Sequence, residues 1–212
     1  MREEDTFVAR ARACRSHQDL QTLYAQWAST YDSDLSTGVH NYVAPSIVAE
    51  TALRLSNGQA NGTILDAGCG TGLVGAALAS RGASAIDGLD LSSHMLQVAA
   101  QTGAYQNVFL GDLTKEIARP SQWYELVTCA GTFTHGHVGP SPALREFVRV
   151  LKDDGYVVAT VLEELWLQGG FKAEVDKLAA EGLIDVVSTE LKPYLKGQDL
   201  AYVLVLQKMA LR

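Results

Sequence analysis

Hydrophobic positions along the chain follow one period in its first third and a different one after Thr63. In the segment SHQDLQTLYAQWASTYDSDL, apolar side chains recur at helical spacing, at Leu20, Leu23, Tyr24 and Trp27. This spacing predicts an amphipathic helix with Ser16 as its N-cap. Pro45 is placed to open a second helix, PSIVAETALRL, because proline fits the first helical turn. The segment SNGQANG then interrupts the pattern.

After Thr63, short apolar runs alternate with segments of helical spacing. The strand-like runs are TILD, ASAIDGLD, NVFLGDL, YELVTCAG and YVVATVL, and the helical segments include GLVGAALASRG, SSHMLQVAAQTG and SPALREFVRVLK. Such alternation predicts a parallel sheet with helices on both faces. Near the end, IDVVSTELKPYL and LAYVLVLQK flank the polar loop KGQD, which predicts an antiparallel pair at the sheet edge. The pattern therefore predicts a three-layer α/β fold whose seven-stranded, mostly parallel sheet has an antiparallel last strand.

Composition narrows the class of protein. The 212 residues are 47% hydrophobic and 19% charged, which suits one domain with a sizeable core. We expect neither a secretory signal nor a membrane span, because no apolar stretch is long enough. The three widely spaced cysteines are typical of a reducing compartment, so a cytoplasmic protein is expected. The formal net charge of −7 disfavours nucleic acid as a partner.

The segment ILDAGCGTGLVG, residues 64–75, carries the strongest chemical signal. Gly68, Gly70 and Gly72 lie where the first predicted strand passes into a helix, so a ligand can lie directly on the backbone. From Gly70 the letters match the dinucleotide string GxGxxG, but such a string alone is weak evidence. Asp66 stands just before the loop, where a carboxylate repels a pyrophosphate and attracts a cation. The sequence therefore favours a ligand with an ammonium group, a ribose and no phosphate.

Two further carboxylates follow the next two predicted strands. Asp90 ends the second strand, where it can accept hydrogen bonds from both hydroxyls of a ribose. Asp112 ends the third strand, where its side chain or the neighbouring backbone can read an adenine amino group. The alternative is that each of these carboxylates, and Asp66 as well, is a helix N-cap or a turn residue.

The motifs ILDAGCGTG, GLDLSSHML and LGDL, in this order, resemble those of the class I S-adenosylmethionine-dependent methyltransferases. The similarity runs from about Leu20 to the C-terminus, and DAGCGTG is specific for this superfamily. A narrower similarity, carried by LYAQWASTYDSDL and GTFTHGHVGPSPALREFVRVLKDDGYVVAT, is to the methyltransferase-like protein of the Williams–Beuren region and its small fungal and microbial relatives. The resemblance implies a Rossmann-like methyltransferase fold, with residues 1–55 as an N-terminal helical lid and residues 56–212 as the cofactor-binding core.

The resemblance also implies that S-adenosylmethionine is the cofactor and S-adenosylhomocysteine its product. The residues that it assigns to cofactor binding are Tyr24, Trp27, Tyr31, Asp66, Gly68, Gly70, Gly72, Asp90, Leu91, Met95, Asp112, Leu113 and Ala130. Among them, Asp66 lies near the amino-acid end of the cofactor, the loop glycines carry its methionine part and Asp90 binds its ribose hydroxyls. The residues after Asp90 flank the adenine, those from Asp112 read its edge, and Ala130 and Gly131 lie under the sulfonium.

Three aromatic residues of the first third are expected to fold over the cofactor as a lid, namely Tyr24, Trp27 and Tyr31. A sulfonium beside aromatic faces gains roughly 0.5–2 kcal/mol. The alternative for Tyr24 and Trp27 is ordinary packing of an amphipathic helix.

Two histidines follow the fourth predicted strand, where a methyl acceptor should approach. His135 or His137 could remove a proton from a hydroxyl or a protonated amine, and the alternative is a surface histidine. No cluster of metal ligands stands out in the sequence, so no metal is expected. In this fold, the acceptor pocket is often walled by the segments that hold Trp166, Phe171, Tyr194 and Lys196, although packing roles are the alternative for each.

The leading hypothesis is an enzyme that transfers a methyl group from S-adenosylmethionine to a nitrogen or oxygen of a small molecule, such as a secondary metabolite. A second hypothesis is a regulatory protein that binds S-adenosylmethionine or S-adenosylhomocysteine without turnover. A nicotinamide oxidoreductase is a third, which the carboxylate of Asp66 disfavours. The expected partner is a small methyl acceptor, with neither nucleic acid nor a membrane.

Overall fold

A computed structural model describes residues 7–14, 17–36, 41–55, 62–134, 138–195 and 197–210. Within these ranges the helices are α1 (Phe7–Ala13), α2 (His17–Trp27), α3 (Tyr31–Ser36), α4 (Ala44–Leu55), α5 (Leu73–Ala79), α6 (Ser93–Gln101), α7 (Ala143–Val150), α8 (Glu163–Gln168) and α9 (Phe171–Ala180). The strands are β1 (Ile64–Ala67), β2 (Ile86–Asp90), β3 (Asn107–Leu110), β4 (Tyr124–Phe133), β5 (Leu151–Leu162), β6 (Ile184–Leu195) and β7 (Asp199–Lys208).

The strands form one seven-stranded sheet in the order β3-β2-β1-β4-β5-β7-β6. The pairs from β3 to β5 are parallel, whereas β7 runs antiparallel to both β5 and β6. This confirms the predicted fold class, including the antiparallel last strand. Strand β5 contains an irregularity, where the residue paired with β4 shifts from Leu151 to Tyr156.

Alternating strand residues place apolar side chains on both faces of the sheet. On one face, Leu65 and Val127 belong to a cluster with buried residues of α7 and α9. On the other, Ile64 and Leu126 belong to a cluster with buried residues of α4 and α5. Burial on both faces explains why β1 and β4 are apolar along much of their length.

The first third of the chain contains a break that the hydrophobic pattern did not reveal. One helix was expected over this segment, but the structure has two, because α2 ends at Trp27 and α3 begins at Tyr31. Asp34 holds this corner by accepting hydrogen bonds from Trp27 Nε1 at 2.9 Å and from Thr30 Oγ1 at 3.0 Å. The predicted N-cap, Ser16, lies outside the described residues.

Helix α4 packs with the core rather than with the lid. Its residues Val48, Ala49 and Ala52 are fully buried in the cluster that includes α5 and the sheet. We therefore use "the lid" for α1–α3, whose own cluster is built around Ala11, Leu23 and Trp27. The division of the chain at residue 55 into two units stays a prediction.

Candidate active site

A cleft that is open to solvent on one side lies at the carboxyl ends of the parallel strands. We call it the main cavity because the glycine loop forms part of its lining, and not because of its size. Its lining residues are Tyr24, Tyr31, Gly68, Gly70, Leu89, Asp90, Leu91, Ser92, Met95, Gly111, Asp112, Leu113, Ala130, Gly131, Thr132 and Val138. Ligands of open parallel sheets bind at this edge.

The main cavity collects most of the residues that the resemblance assigned to the cofactor. Those that line it are Tyr24, Tyr31, Gly68, Gly70, Asp90, Leu91, Met95, Asp112, Leu113 and Ala130. Three others, Trp27, Asp66 and Gly72, lie behind its wall, each nearly or fully buried. None of these three residues is part of the lining of the main cavity, and their contact with the cofactor stays a prediction.

Asp90 joins strand β2 to the glycine loop. Its carboxylate accepts hydrogen bonds from the backbone N–H of Gly70 at 2.9 Å and of Ser92 at 2.8 Å. Burial raises the pKa of this carboxyl, although these backbone donors lower it in part. The N–H of Leu91 is a third backbone donor, and these three donors leave at least one lone pair of the carboxylate, so Asp90 can still accept a hydrogen bond from a ligand in the main cavity.

Asp66 points away from the main cavity, which differs from the placement expected at the mouth of the loop. It is fully buried, and its carboxylate accepts hydrogen bonds from Tyr105 Oη at 2.7 Å and from Thr128 Oγ1 at 3.1 Å. Burial raises its pKa to about 6, and these two hydrogen bonds offset only part of that rise. Tyr105 and Thr128 thus hold the carboxylate of Asp66, and Asp66 is not part of the lining of the main cavity.

The glycines of the loop serve two different surfaces. Gly70 lines the main cavity with a φ of 54°, and a Cβ there would project into open space. Gly75 faces the other way, where a Cβ would overlap the ring of Tyr105. The last glycine of the string GxGxxG therefore accommodates the ring of Tyr105.

Asp112 lines the main cavity, but its carboxylate already forms hydrogen bonds and an ion pair with neighbouring residues. One oxygen accepts hydrogen bonds from the Thr114 backbone N–H at 2.9 Å and from its hydroxyl at 2.6 Å, and the other pairs with Lys115 at 3.1 Å. Burial raises the pKa of Asp112, but these partners outweigh it and leave that pKa below its usual value. Its side chain shapes the turn after β3.

Two of the three aromatic lid residues face the main cavity, and the third holds the lid together. Tyr24 and Tyr31 line the main cavity. Trp27 is 3% exposed and packs between Phe7, at a ring distance of 5.3 Å, and Tyr31, at 4.6 Å. For Trp27 the structure shows the packing that was the alternative to cofactor contact.

A contact that the sequence did not reveal joins the lid to the glycine loop. The Thr71 hydroxyl donates a hydrogen bond to the Asp32 carboxylate. Asp32 lies in the first turn of α3, and Thr71 is 1% exposed. The position of Asp32 directly after Tyr31 was the only sign in the sequence of this contact, and spacing alone could not identify Thr71 as its partner.

Tyr42 and Tyr194 lie beside the end of β4, behind the part of the main cavity formed by Gly131. Their rings are 5.0 Å apart in an edge-on arrangement, and their hydroxyls are hydrogen-bonded to each other. Gly131 has a φ of 78°, and a Cβ there would lie 2.5 Å from Tyr42 Oη. Tyr194 was a predicted wall residue of the acceptor pocket, whereas Tyr42 carried no prediction.

The structure describes only some of the candidate bases and proposed acceptor-wall residues. His135, His137 and Lys196 lie outside the described residues. Trp166 and Phe171 are buried, and pack against Tyr202 and Phe133, respectively. These two aromatic residues belong to the hydrophobic core and not to the wall of the main cavity.

Burial raises the pKa of both cysteine thiols near the site, that of Cys69 well above its ordinary value and that of Cys129 to about 12. Neither is therefore an activated thiol. Within the described ranges, no three His, Cys, Asp or Glu residues form a group suited to hold a metal ion. In the same ranges, no helix combines the length and apolar character needed to cross a membrane.

Comparison with known proteins agrees with this geometry. Residues 64–155 match the family described as a methyltransferase domain. The chain is 32% identical to human methyltransferase-like protein 27 over 183 residues, which cover 82% of this chain and 73% of that protein. It is 29% identical to a ubiquinone biosynthesis O-methyltransferase of Yersinia enterocolitica, over 63% of this chain and 57% of that protein.

A solved structure extends the agreement to the fold. Magnesium protoporphyrin IX methyltransferase from Synechocystis, solved with bound S-adenosylmethionine, superposes with a TM-score of 0.62 at 18% identity, over 89% of this chain and 96% of that one. The fold and the main cavity thus define a protein of the Rossmann-like methyltransferase class. This chain belongs to the class I S-adenosylmethionine-dependent methyltransferases, the family in which S-adenosylmethionine is the cofactor.

Proposed function

We propose that this protein transfers a methyl group from S-adenosylmethionine to a nitrogen or oxygen nucleophile of a small molecule. The observation that carries the proposal is the arrangement of Gly70 and Asp90 on the main cavity. Gly70 offers a backbone without a side chain. Asp90 binds that backbone through its carboxylate, which can still accept a hydrogen bond.

The residues present fit this cofactor. The open space beside Gly70 leaves room for a ligand directly on the loop. Among the described lining residues the charged side chains are Asp90 and Asp112, and none is basic, so the main cavity suits a cationic nucleoside better than a phosphorylated one. The apolar side chains of Leu91, Met95 and Leu113 are available to contact a base.

The lid supplies the remaining wall. Tyr24 and Tyr31 present aromatic rings to the main cavity, and such faces attract a sulfonium by roughly 0.5–2 kcal/mol. When bound, S-adenosylmethionine supplies an activated methyl group. The protein aligns the two reactants and excludes water, and positioning of this kind contributes about 7–11 kcal/mol to barrier lowering.

The proposed acceptor is small, because the lid encloses the main cavity from the side of α2 and α3. The name of the Yersinia relative refers to O-methylation in ubiquinone biosynthesis. The name of human methyltransferase-like protein 27 does not specify a methyl acceptor. His135 and His137 remain the proposed source of a general base. The proposed location is the cytoplasm, supported by three unpaired cysteines.

Calorimetry with S-adenosylmethionine, S-adenosylhomocysteine and NADH tests the cofactor. We expect the first two to bind and NADH not to bind. Binding of NADH alone would refute the assignment of the main cavity.

Methyl transfer is tested separately, with S-adenosylmethionine labelled in its methyl group and a small-molecule extract as the source of acceptors. We expect labelled product and S-adenosylhomocysteine in equal amounts. Tight cofactor binding without any transfer would favour a regulatory protein that binds the cofactor without turnover.

A further inference from the structure

Strand β4 is irregular at the end that meets the main cavity. Its regular pairing with β5 stops at Cys129 and resumes at Phe133, although the β5 partners of these two residues are only two positions apart. Between those partners β5 has one residue, Thr160, whereas β4 has three, which we call the bulge: Ala130, Gly131 and Thr132. All three residues of the bulge line the main cavity. Bulges of this kind are common beside active sites, where they redirect the chain.

The side chain of Thr160 supplies a hydrogen-bond partner to the bulge. In regular parallel pairing, a backbone N–H donates to a backbone carbonyl of the neighbouring strand. The N–H of Gly131 donates instead to Thr160 Oγ1, at 3.2 Å. Thr160 is 2% exposed, and its strand lies between β4 and β7 in the sheet. The hydroxyl therefore holds the bulge from a rigid part of the core.

Other contacts place the bulge between the core and the glycine loop. Gly131 has a φ of 78°, a conformation that favours glycine, and a Cβ there would lie 2.5 Å from Tyr42 Oη. A Cβ added to Gly68 would overlap Thr132 Oγ1, so the bulge also packs directly on the loop. A shift of the bulge would thus change the shape of the main cavity beside Gly68.

The order of the strands places the bulge at one end of the main cavity. Strands β3, β2, β1 and β4 lie side by side. The lining residues at their carboxyl ends are, in the same order, Asp112, Asp90, Gly68 and the bulge. A cofactor with its ribose at Asp90 and its adenine towards Asp112 extends its sulfur towards Gly68. In this placement, the bulge is the wall beside the sulfonium and its methyl group.

We propose that Thr160 is a positioning residue for methyl transfer, whose hydroxyl holds the bulge in the shape that fits the methyl group of S-adenosylmethionine. This inference rests on the proposed function and adds a residue to it. Thr160 is not part of the lining of the main cavity, and it acts through Gly131. The effect on rate is large because misplacement of reacting atoms by about 1 Å can lower a rate about a hundredfold.

The first experiment compares two ligands that differ only in the methyl group and the charge at sulfur. Calorimetry measures the affinities for S-adenosylmethionine and S-adenosylhomocysteine in Thr160→Val, which keeps the shape of the side chain but lacks its hydroxyl. We expect the affinity for S-adenosylmethionine to fall about fivefold or more, since the N–H of Gly131 loses its partner, and that for S-adenosylhomocysteine to change less than about twofold. Equal changes in both affinities, or no change, would overturn the proposal.

Two control variants separate the hydroxyl from the packing of Thr160. Thr160→Ser keeps the hydroxyl, so the ratio of the two affinities should match that of the natural protein. Val158→Ala lies on the same strand and face and is fully buried. It should lower stability but leave the ratio unchanged. A ratio that changes as much in either control as in Thr160→Val would show that packing, and not the hydroxyl, is responsible.

A measurement on the natural protein does not depend on whether Thr160→Val folds. Amide hydrogen exchange of Gly131, followed by NMR, reports on the bond to Thr160. We expect exchange roughly a hundredfold slower, or more, than in an unstructured peptide. Exchange as fast as in such a peptide would mean that the bond is absent, and the proposal would be wrong.

The last experiment separates this inference from the proposed function. The protein is saturated with S-adenosylmethionine labelled in its methyl group and mixed with the small-molecule extract. The rate of transfer should fall about tenfold or more in Thr160→Val and be restored in Thr160→Ser. Equal rates in Thr160→Val and the natural protein would refute the role of Thr160 and leave the methyltransferase function standing. No transfer by the natural protein would contradict that function, with the affinity ratio still deciding on Thr160.

Discussion

The hydroxyl of Thr71 donates a hydrogen bond to the carboxylate of Asp32, across a sequence separation of 39 residues. This bond joins the glycine loop to the lid at the edge of the main cavity. Since Tyr31, next to Asp32, lines the main cavity, the bond also fixes an aromatic wall of the site. The cofactor loop and the lid thus form one connected unit in the described structure.

Loss of this contact should weaken cofactor binding. In Asp32→Ala, we expect the affinity for S-adenosylhomocysteine to fall about tenfold, because a hydrogen bond to a charged group contributes about 1.5–3 kcal/mol. Calorimetry measures this directly. Ser33→Ala, whose exposed hydroxyl bonds to the Thr30 carbonyl, is the neighbouring control and should bind normally. Unchanged affinity in Asp32→Ala would show that the lid does not depend on Thr71.

Asp90 and Asp112 should differ in their effect on the cofactor, although both follow strands and both line the main cavity. Asp90→Ala should weaken cofactor binding by roughly 1.5–3 kcal/mol, since it removes the carboxylate proposed to bind the ribose hydroxyls and also the anchor of Gly70. Asp112→Ala should cost less, because Thr114 and Lys115 occupy that carboxylate. Binding isotherms of the two variants make the comparison, and an equal loss at both positions would contradict it.

The packing of Gly75 against Tyr105 can be tested by stability. Gly75→Ala should destabilise the protein by about 1–3 kcal/mol, because the added methyl overlaps the Tyr105 ring. In a Tyr105→Ala background the same change should stabilise by up to about 1 kcal/mol, since alanine is the better helix former. Urea unfolding of the four proteins gives both values. The packing argument is wrong if Gly75→Ala changes the free energy of unfolding in the same direction in both backgrounds.

Asp66 should make stability depend on pH in an identifiable direction. Its pKa of about 6 in the folded protein exceeds the ordinary 3.8, so the folded state binds the proton more tightly than the unfolded state. The contribution of this carboxyl to stability therefore falls as pH rises from about 4 to about 6, and then stays constant. The two pKa values correspond to a total of about 3 kcal/mol.

The variant Asp66→Asn lacks this titration, and other groups cancel when it is compared with the natural protein. Between about pH 4 and pH 7, the difference in unfolding free energy should move in favour of the variant by up to about 3 kcal/mol. Denaturant titrations at several pH values provide the measurement. A difference that does not change with pH would mean that Asp66 has an ordinary pKa.

His135 and His137 lie outside the described residues, so their prediction rests on the sequence. His135→Ala or His137→Ala should lower the turnover number at least tenfold if that histidine removes the acceptor proton, since general bases contribute about 10²–10⁴-fold. The affinity for S-adenosylhomocysteine should stay within twofold in both. Single-turnover rates provide the measurement, and full activity in both variants would remove the histidines from the mechanism.

Local sequence patterns were sufficient for the sheet and the cofactor loop. Apolar runs of strand length and the glycines at 68 and 70 act through residues adjacent in the chain, and both lie where expected. Asp90 also lies at the main cavity because it ends a strand next to that loop. The break between α2 and α3 was not predicted. The hydrogen bonds to Asp34 that form this corner are made by polar groups and do not change the spacing of the hydrophobic residues.

The sequence by itself determined the alternation of elements, the parallel sheet and the loop at its carboxyl edge, because these follow from backbone preference and burial of nearby residues. Tertiary structure alone decided that Asp66 turns towards Tyr105, that Asp32 binds Thr71 and that Tyr42 meets Tyr194. Each of these contacts joins residues at least 39 positions apart. Such pairs form only when separate elements pack together, and no local pattern records which side chains will then be neighbours.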